Sequence, residues 1–404
     1  MTEKVVNDIK DLETGMFVKL HDPYAVTREG EIDQILPTAK MLNVLDESGT
    51  RFNFYLTPDT KVTVLDKKFQ PNLKNWTNVL AIQGVKAGTN GADPEVFVLG
   101  GDNQVLEAWK FLPSKARSDY YWDGFQAEFQ TAVGHCLNYQ TDSSRSCLFR
   151  IWAAAQKVDP KAKLTPKSTF EIPMAKLLAA KDEHVALGCA PSFNAYGLHG
   201  DVPNNPRMLT WRFAGGHIHR GWAGLNRPRA DRIVKAVDAI VGIPSITMFQ
   251  NLDNPVRRKF YGLPGEYRLP KHGLEYRVLS SAWLCHPAIS QFTRELVRFS
   301  MGLAKAHLEQ VFSFKEEDAV RIIMEHDVDA AKKFVKDRKT QYQTLLEQIW
   351  SGYKHPISQG MKLLVSPVEE FVDPDKMEQN WRFNEEWVFD CGSPNTRWVS
   401  FAAR

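Results

Sequence analysis

The sequence predicts an α+β protein in three parts. A small β-rich unit occupies residues 1–72. A mixed core spans 88–365, with its helical part starting near 288, and an irregular tail fills 366–404. Three observations carry this division. The first part alternates apolar and polar residues between turn-forming clusters; several later segments read as strands that place two ionisable side chains on one face; and apolar residues recur at helical spacing after Pro287.

In the first part, segments 14–20, 41–45, 52–56 and 61–65 read as strands, the middle two flanking the turn Glu47-Ser48-Gly49-Thr50 as a hairpin. A small SH3-like β-barrel accommodates them, and nothing in it looks catalytic, so it is expected to be an accessory or docking module. Residues 70–90 are polar and turn-rich and mark a boundary. Residues 228–241 read as a helix with Ala230, Ile233, Val234, Val237, Ile240 and Val241 on one face, stopped by Gly242 and Pro244. Later helices are read from Ile289, Phe292, Leu296, Phe299, Leu303 and Leu308, and from Tyr342, Leu345, Ile349 and Trp350. The tail is Trp-rich and without a clear pattern.

Composition excludes several classes. With 43% hydrophobic and 25% charged residues, the 404-residue chain has the balance of a soluble globular protein. Lys and Arg number 51 against 48 acids, a net charge of +3 that leaves no basic tract for nucleic acid. No apolar run reaches about 18 residues, and the start, MTEKVVNDIKDLETG, lacks the apolar stretch of a signal peptide, so neither membrane nor secretion is expected and the location expected is cytoplasmic. Cys136, Cys147, Cys189, Cys285 and Cys391 are scattered without a CxxC pair and read as free thiols.

The chemistry sits on strands that carry ionisable side chains at i and i+2, hence on one face. Asp93 and Glu95 open an otherwise apolar strand; His217 and His219 share a second; Glu275 and Arg277 share a third; and Gln126 and Glu128 alternate with an aromatic face in a fourth. Buried carboxylates need partners. Gathered in one sheet, this inventory suits divalent cations and a polyphosphate, because carboxylates bind Mg²⁺ or Mn²⁺ and arginine forks bind phosphate oxygens. Arg257, Arg258 and Arg268 add to that basic set, with a solvated basic turn the competing reading for Arg257 and Arg258. No P-loop, HExxH or GxSxG occurs.

The ordered segments GADPEVF, DGFQAEF, CAPSFNAY, AGGHIHRG and YGLPGEYRLPKHGLEYRVLSSAW, over roughly residues 88–290, resemble the phage carboxylate–amine ligase (amidoligase) family, which is related to glutamine synthetase and glutamate–cysteine ligase. The resemblance implies a glutamine-synthetase-like curved antiparallel sheet that cradles ATP and two or more Mg²⁺ ions. It also implies amide or peptide bond formation through an acyl phosphate, between an acid and an amine borne by a small molecule, a peptide or a protein, inside a bacterial host if the gene is a phage's. By the same similarity Asp93, His217 and Glu275 hold one metal beside the phosphates, and Glu95 and Glu128 hold the other nearer the acyl acceptor. Arg277 neutralises the γ-phosphoryl charge, and His219 touches phosphate or nucleotide rather than metal; because phosphoryl transfer demands charge neutralisation, Arg268 and Arg257 are expected as further phosphate contacts. Asp93 stands where glutamine synthetases have Glu, and the second metal lacks an obvious third acid unless Asp123 or a water supplies it. Association into oligomers is compatible with such a fold.

Two other functions compete. A ligase-fold protein without turnover could serve a structural or binding role in a phage. A metallohydrolase could use His217 and His219 for zinc, although no further histidine ligands stand out.

Overall fold

The computed structural model describes residues 4–6, 8–21, 27–47, 51–67, 88–186, 192–201, 205–222, 224–307, 309–349 and 357–385. Strands β1 (Lys4–Val6), β2 (Phe17–His21), β3 (Arg28–Leu36), β4 (Met41–Leu45), β5 (Arg51–Tyr55) and β6 (Lys61–Leu65) form one antiparallel sheet in the order β1-β6-β2-β3-β4-β5. The expected hairpin is β4–β5, with Met41 opposite Tyr55; its turn residues 48–50 lie outside the described residues, as do residues 70–87 of the expected boundary. Alternation buries Val18, Leu20, Ile32, Leu42, Val44, Phe54 and Val62 in a separate small core. Among the described residues β1 and β5 are the two ends of the strand order, and no pairing joins them.

This unit is fixed to the rest of the chain by buried charge. The β3–β4 register slips between Ile32 and Gln34, a bulge at Asp33. Arg229 lies 2.7 Å from Asp33 and Lys305 3.3 Å from it, while His307 meets Glu31 at 2.6 Å. Arg229 and Lys305 also stand over the Trp222 ring.

The core sheet is built from β7 (Asn90–Leu99), β8 (Tyr120–Asp123), β9 (Gln126–Phe129), β10 (Lys163–Thr165), β12 (Phe193–Asn194), β14 (Gly216–Gly221), β15 (Glu266–Arg268) and β16 (Gly273–Tyr276). Their order is β12-β15-β16-β14-β7-β9-β8, with β10 also on β7; β11 (Thr169–Glu171) and β13 (Trp211–Phe213) pair separately. All of these pairings are antiparallel, as expected for the α+β core. One face of the sheet buries Ala92, Val96, Val98, Ile218, Leu274 and Tyr276 in the main core, which leaves the ionisable positions on the other.

Helices cover the apolar face. Helix Arg227–Val237 starts at Asn226, whose side chain accepts from the Arg229 N–H. It does not stop at Gly242 and Pro244 as expected. A π-turn over Asp238–Gly242 leads into helix Ile243–Met248, where Pro244 lies in the first turn. The Tyr342 hydroxyl donates to the carbonyls of Ala239 (3.1 Å) and Ile240 (3.5 Å), the latter being the group a proline at 244 leaves without its usual partner. Helix Pro287–Lys305 buries Ile289, Phe292, Leu296, Phe299 and Leu303, and helix Lys339–Ile349 buries Tyr342, Leu345 and Ile349, as their spacing predicts; Leu308 and Trp350 lie outside the described residues. The described part of the tail is packed: Trp381 is buried and its indole N–H donates to the Leu284 carbonyl at 2.7 Å. Among the described residues no helix is long and apolar enough to cross a membrane.

Candidate active site

Strand register assembles the site. Asp93 faces His217 across the β7–β14 pair, His219 faces Glu275 across β14–β16, Glu275 faces Arg268 across β16–β15, and Glu95 faces Glu128 across β7–β9. Every ionisable i, i+2 pair read from the sequence therefore points to the same side of one sheet. Gly215 and Gly216 enter β14 where the Gly215 N–H donates to Glu95 Oε2 at 2.7 Å. The Trp283 indole donates to the Gly216 carbonyl at 3.1 Å, and a side chain at Gly216 would strike that ring and the Ser280 carbonyl.

Two triads result. Asp93, His217 and Glu275 each offer a ligand atom within 4.8 Å of the others, and so do Glu95, Asp123 and Glu128. In the first, His217 Nδ1 lies 3.3 Å from Asp93 and 3.5 Å from Glu275. Arg277 makes a short contact with Glu275 and stands 3.6 Å from Glu266, and Arg268 stands 3.5 Å from Glu275. In the second, Asp123 is the third acid the sequence left open. Glu128 accepts from Tyr121 at 2.5 Å and meets Lys115 at 3.3 Å.

The charges are strongly perturbed. Burial pushes the Glu95 carboxyl well above the ordinary range, and the charges of Asp123 and Glu128 add to that push. Burial likewise raises Asp123, and burial with the Asp123 charge lifts Glu128 to about 7. Asp93 goes the other way: burial opposes its ionisation, but hydrogen bonds and charge from His217 and His219 outweigh it and hold the group low. Burial and the Arg277 charge depress His217. For His219, Asp93 overcomes burial and raises it. The second triad thus carries repulsion that a divalent cation would relieve, and its all-oxygen donors are those of a hard cation.

Two cavities meet at Asp93. One, of about 220 Å³, is lined by both arginines Arg268 and Arg277, by Glu95, Asp123, Glu128 and His217, and by the apolar wall Phe213, Phe260 and Tyr261. The other, of about 300 Å³, is lined by Thr89, Asn90, Gly91, Asp93, His219 and His272 among others. His219 Nε2 meets Asp93 at 2.8 Å and Nδ1 meets His272 at 3.0 Å, so both ring nitrogens are engaged and His219 backs a triad member without joining either triad. That arrangement does not supply the paired-histidine zinc site of the hydrolase reading.

Arg257 is a correction. It was expected to reach phosphate, but it is fully buried, lines neither cavity, and binds Asp253 at 3.0 Å and the Val278 carbonyl at 2.8 Å. Arg258 is buried beside it on the same aspartate, so the solvated-turn reading fails as well. Cys147 and Cys285 are buried thiols, the first pushed up to about 11 by burial; Cys189 and Cys391 lie outside the described residues. Sequence reasoning missed Tyr121, Tyr261, Lys115 and His272. Tyr261 and His272 lie inside the longest resembling segment, but neither belongs to an i, i+2 pair.

The fold and site define an α+β protein with two acidic triads and two arginines on one face of an antiparallel sheet. Residues 208–382 match the family described as Phage phiEco32-like COOH.NH2 ligase-type 2, which bears out the recognition of a phage carboxylate–amine ligase family. His217, His219, Arg268, Glu275 and Arg277 fall inside the matched residues; Asp93, Glu95, Asp123 and Glu128 precede them. No curated protein matches the chain. Among solved structures, a bifunctional glutathione synthetase from Pasteurella multocida is similar over 77% of this chain and 52% of its own, at 12% identity and a TM-score of 0.33. The chain thus spans about half the length of that protein.

Proposed function

We propose that this chain is an ATP- and Mg²⁺-dependent carboxylate–amine ligase on a glutamine-synthetase-like fold, with Mn²⁺ able to replace Mg²⁺. The observation that carries the reading is the pair of triads side by side on one sheet face, with Arg277 and Arg268 against Glu275. Five carboxylates in so small a space are costly without cations to share them. In this reading Asp93, His217 and Glu275 hold the cation beside the phosphates, and Glu95, Asp123 and Glu128 hold the one nearer the acid. The cations neutralise phosphoryl charge and polarise the carboxyl oxygen. His219 and His272 face the nucleotide from the 300 Å³ cavity, and the acid lies in the 220 Å³ cavity against Phe213, Phe260 and Tyr261.

The chemistry follows from the poor leaving ability of hydroxide. A carboxylate oxygen takes the γ-phosphoryl group of ATP and ADP departs. The amine nitrogen then attacks the acyl carbon, the C–O bond breaks toward phosphate, and the N–H proton is lost to solvent. Arg277 and Arg268 hold the transferring group in place and offset its charge.

Calorimetric titration of a non-hydrolysable ATP analogue tests this, with and without Mg²⁺, into wild type and Arg277→Ala. Metal-dependent binding weakened by the substitution is expected, followed by hydroxylamine trapping of activated acids that Glu95→Gln abolishes. An absence of binding at millimolar analogue would refute the reading and favour a protein with a structural role.

A further inference from the structure

We infer that Tyr261 is a positioning residue that sets the tautomer of His217 and ties it to Arg277. The inference rests on the reading of Asp93, His217 and Glu275 as a cation site. The three ligand atoms converge on the Nδ1 side of the imidazole, with Asp93 at 3.3 Å and Glu275 at 3.5 Å from that nitrogen. Arg277 Nη1, which can only donate, also faces Nδ1 at 3.4 Å. A ligand nitrogen must present a lone pair, so Nδ1 is the bare nitrogen and the ring proton sits on Nε2.

The group facing Nε2 is the Tyr261 hydroxyl, in close hydrogen-bond contact. Its oxygen accepts the Nε2–H, and it also accepts from Arg277 Nη2 at 3.3 Å. Tyr261 is only 6% exposed, and its ring lies under the Arg277 guanidinium at 5.4 Å, so the hydroxyl has little freedom to turn away. One oxygen thereby links the cation ligand to the arginine that faces the phosphoryl group. The opposite tautomer would place a proton on Nδ1, against a cation, and leave Nε2 to accept from the tyrosine.

Tyr261→Phe removes the hydroxyl and keeps the ring. Loss of such an outer partner weakens a metal site by roughly 10–100-fold. Calorimetry with Mn²⁺ on the full chain is expected to show that loss at one of two sites, with the other unchanged. Long-range ¹H–¹⁵N spectra of ¹⁵N-histidine-labelled protein in Mg²⁺ should place the His217 proton on Nε2 in wild type and show a mixture in Tyr261→Phe. A wild-type proton on Nδ1, or identical Mn²⁺ affinities and spectra in the two proteins, would overturn the assignment while leaving the ligase reading intact. A wild type that takes up no Mn²⁺ overturns both.

Discussion

Removing the Asp253 carboxylate should cost about as much stability as truncating a large apolar side chain of the surrounding core. Asp253 is 6% exposed and balances two guanidinium groups that are buried almost completely, Arg257 at 3.0 Å and Arg258 at 3.1 Å, with Ser168 donating to it at 2.7 Å. Both arginines also donate to the Val278 carbonyl, the residue after Arg277. Asp253→Asn keeps the volume and leaves two buried cations without a counter-charge, which costs about 3–5 kcal/mol. Urea unfolding followed by tryptophan fluorescence reads this, compared with Arg257→Met/Arg258→Met and with the triple variant. In the triple variant the aspartate change should cost far less, because the charges it balances are gone. Acid unfolding gives an independent sign. Burial opposes ionisation of Asp253, but the two arginine charges prevail and hold its carboxyl well below the ordinary range. Its contribution is then complete above the unfolded value of about 4 and is lost as pH falls further, toward the folded value. Wild type should lose that share at low pH and Asp253→Asn should not. A loss under about 1 kcal/mol in Asp253→Asn, or equal costs in the single and triple backgrounds, would refute the reasoning.

Two further predictions concern other buried acids. Asp123→Asn should abolish divalent-cation binding at the Glu95–Glu128 triad. In the metal-free protein it should lower Glu128 from about 7, because Asp123 is the main charge assisting burial there; ¹³C spectra of labelled glutamate would show an unmoved titration if the triad is misassigned. Asp238, in the π-turn, accepts from Tyr276 at 2.7 Å and from the Gly265 N–H at 2.6 Å, yet burial still lifts it from 3.8 to about 7. The folded state therefore keeps a proton that the unfolded chain releases, and stability falls as pH rises from about 4 to 8, by at most ~4 kcal/mol; a flat difference between wild type and Asp238→Asn across that range would count against it.

Much of this site was legible because its information is local. A strand carries its alternation in neighbouring residues, so Asp93 with Glu95, His217 with His219 and Glu275 with Arg277 declare a shared face before any partner strand is known. What the pattern cannot hold is which strands adjoin. The β7–β14 register that sets Asp93 opposite His217 joins residues more than a hundred positions apart. Asp123 was visible only as a possibility because it ends β8, three residues before Gln126, and its role depends on where the turn points it. Arg257 and Arg258 misled for the opposite reason. Two arginines in a turn-rich stretch suggest a basic surface, whereas their meaning comes from Asp253 a helical turn earlier, and a four-residue helix gives no periodicity to reveal that.

Pro244 and Tyr261 show the same limit from two sides. A proline after a glycine signals a helix end, and it does remove an N–H; the helix continues because Tyr342, about a hundred residues away, reaches the carbonyls that the π-turn exposes. Tyr261 lies in a segment with no pattern of its own and matters only once β14 brings His217 against it. In both places a tyrosine hydroxyl satisfies a group that local geometry leaves open. These hydroxyls fix how the site is held rather than which groups compose it. The ionisable inventory of the face follows from strand alternation, and its organisation follows from buried hydrogen bonds between distant residues. Conservative changes at the buried Tyr261 or Asp253 are therefore expected to disturb the site more strongly than changes at the outer groups Lys115 or His272, which the surrounding solvent can partly replace.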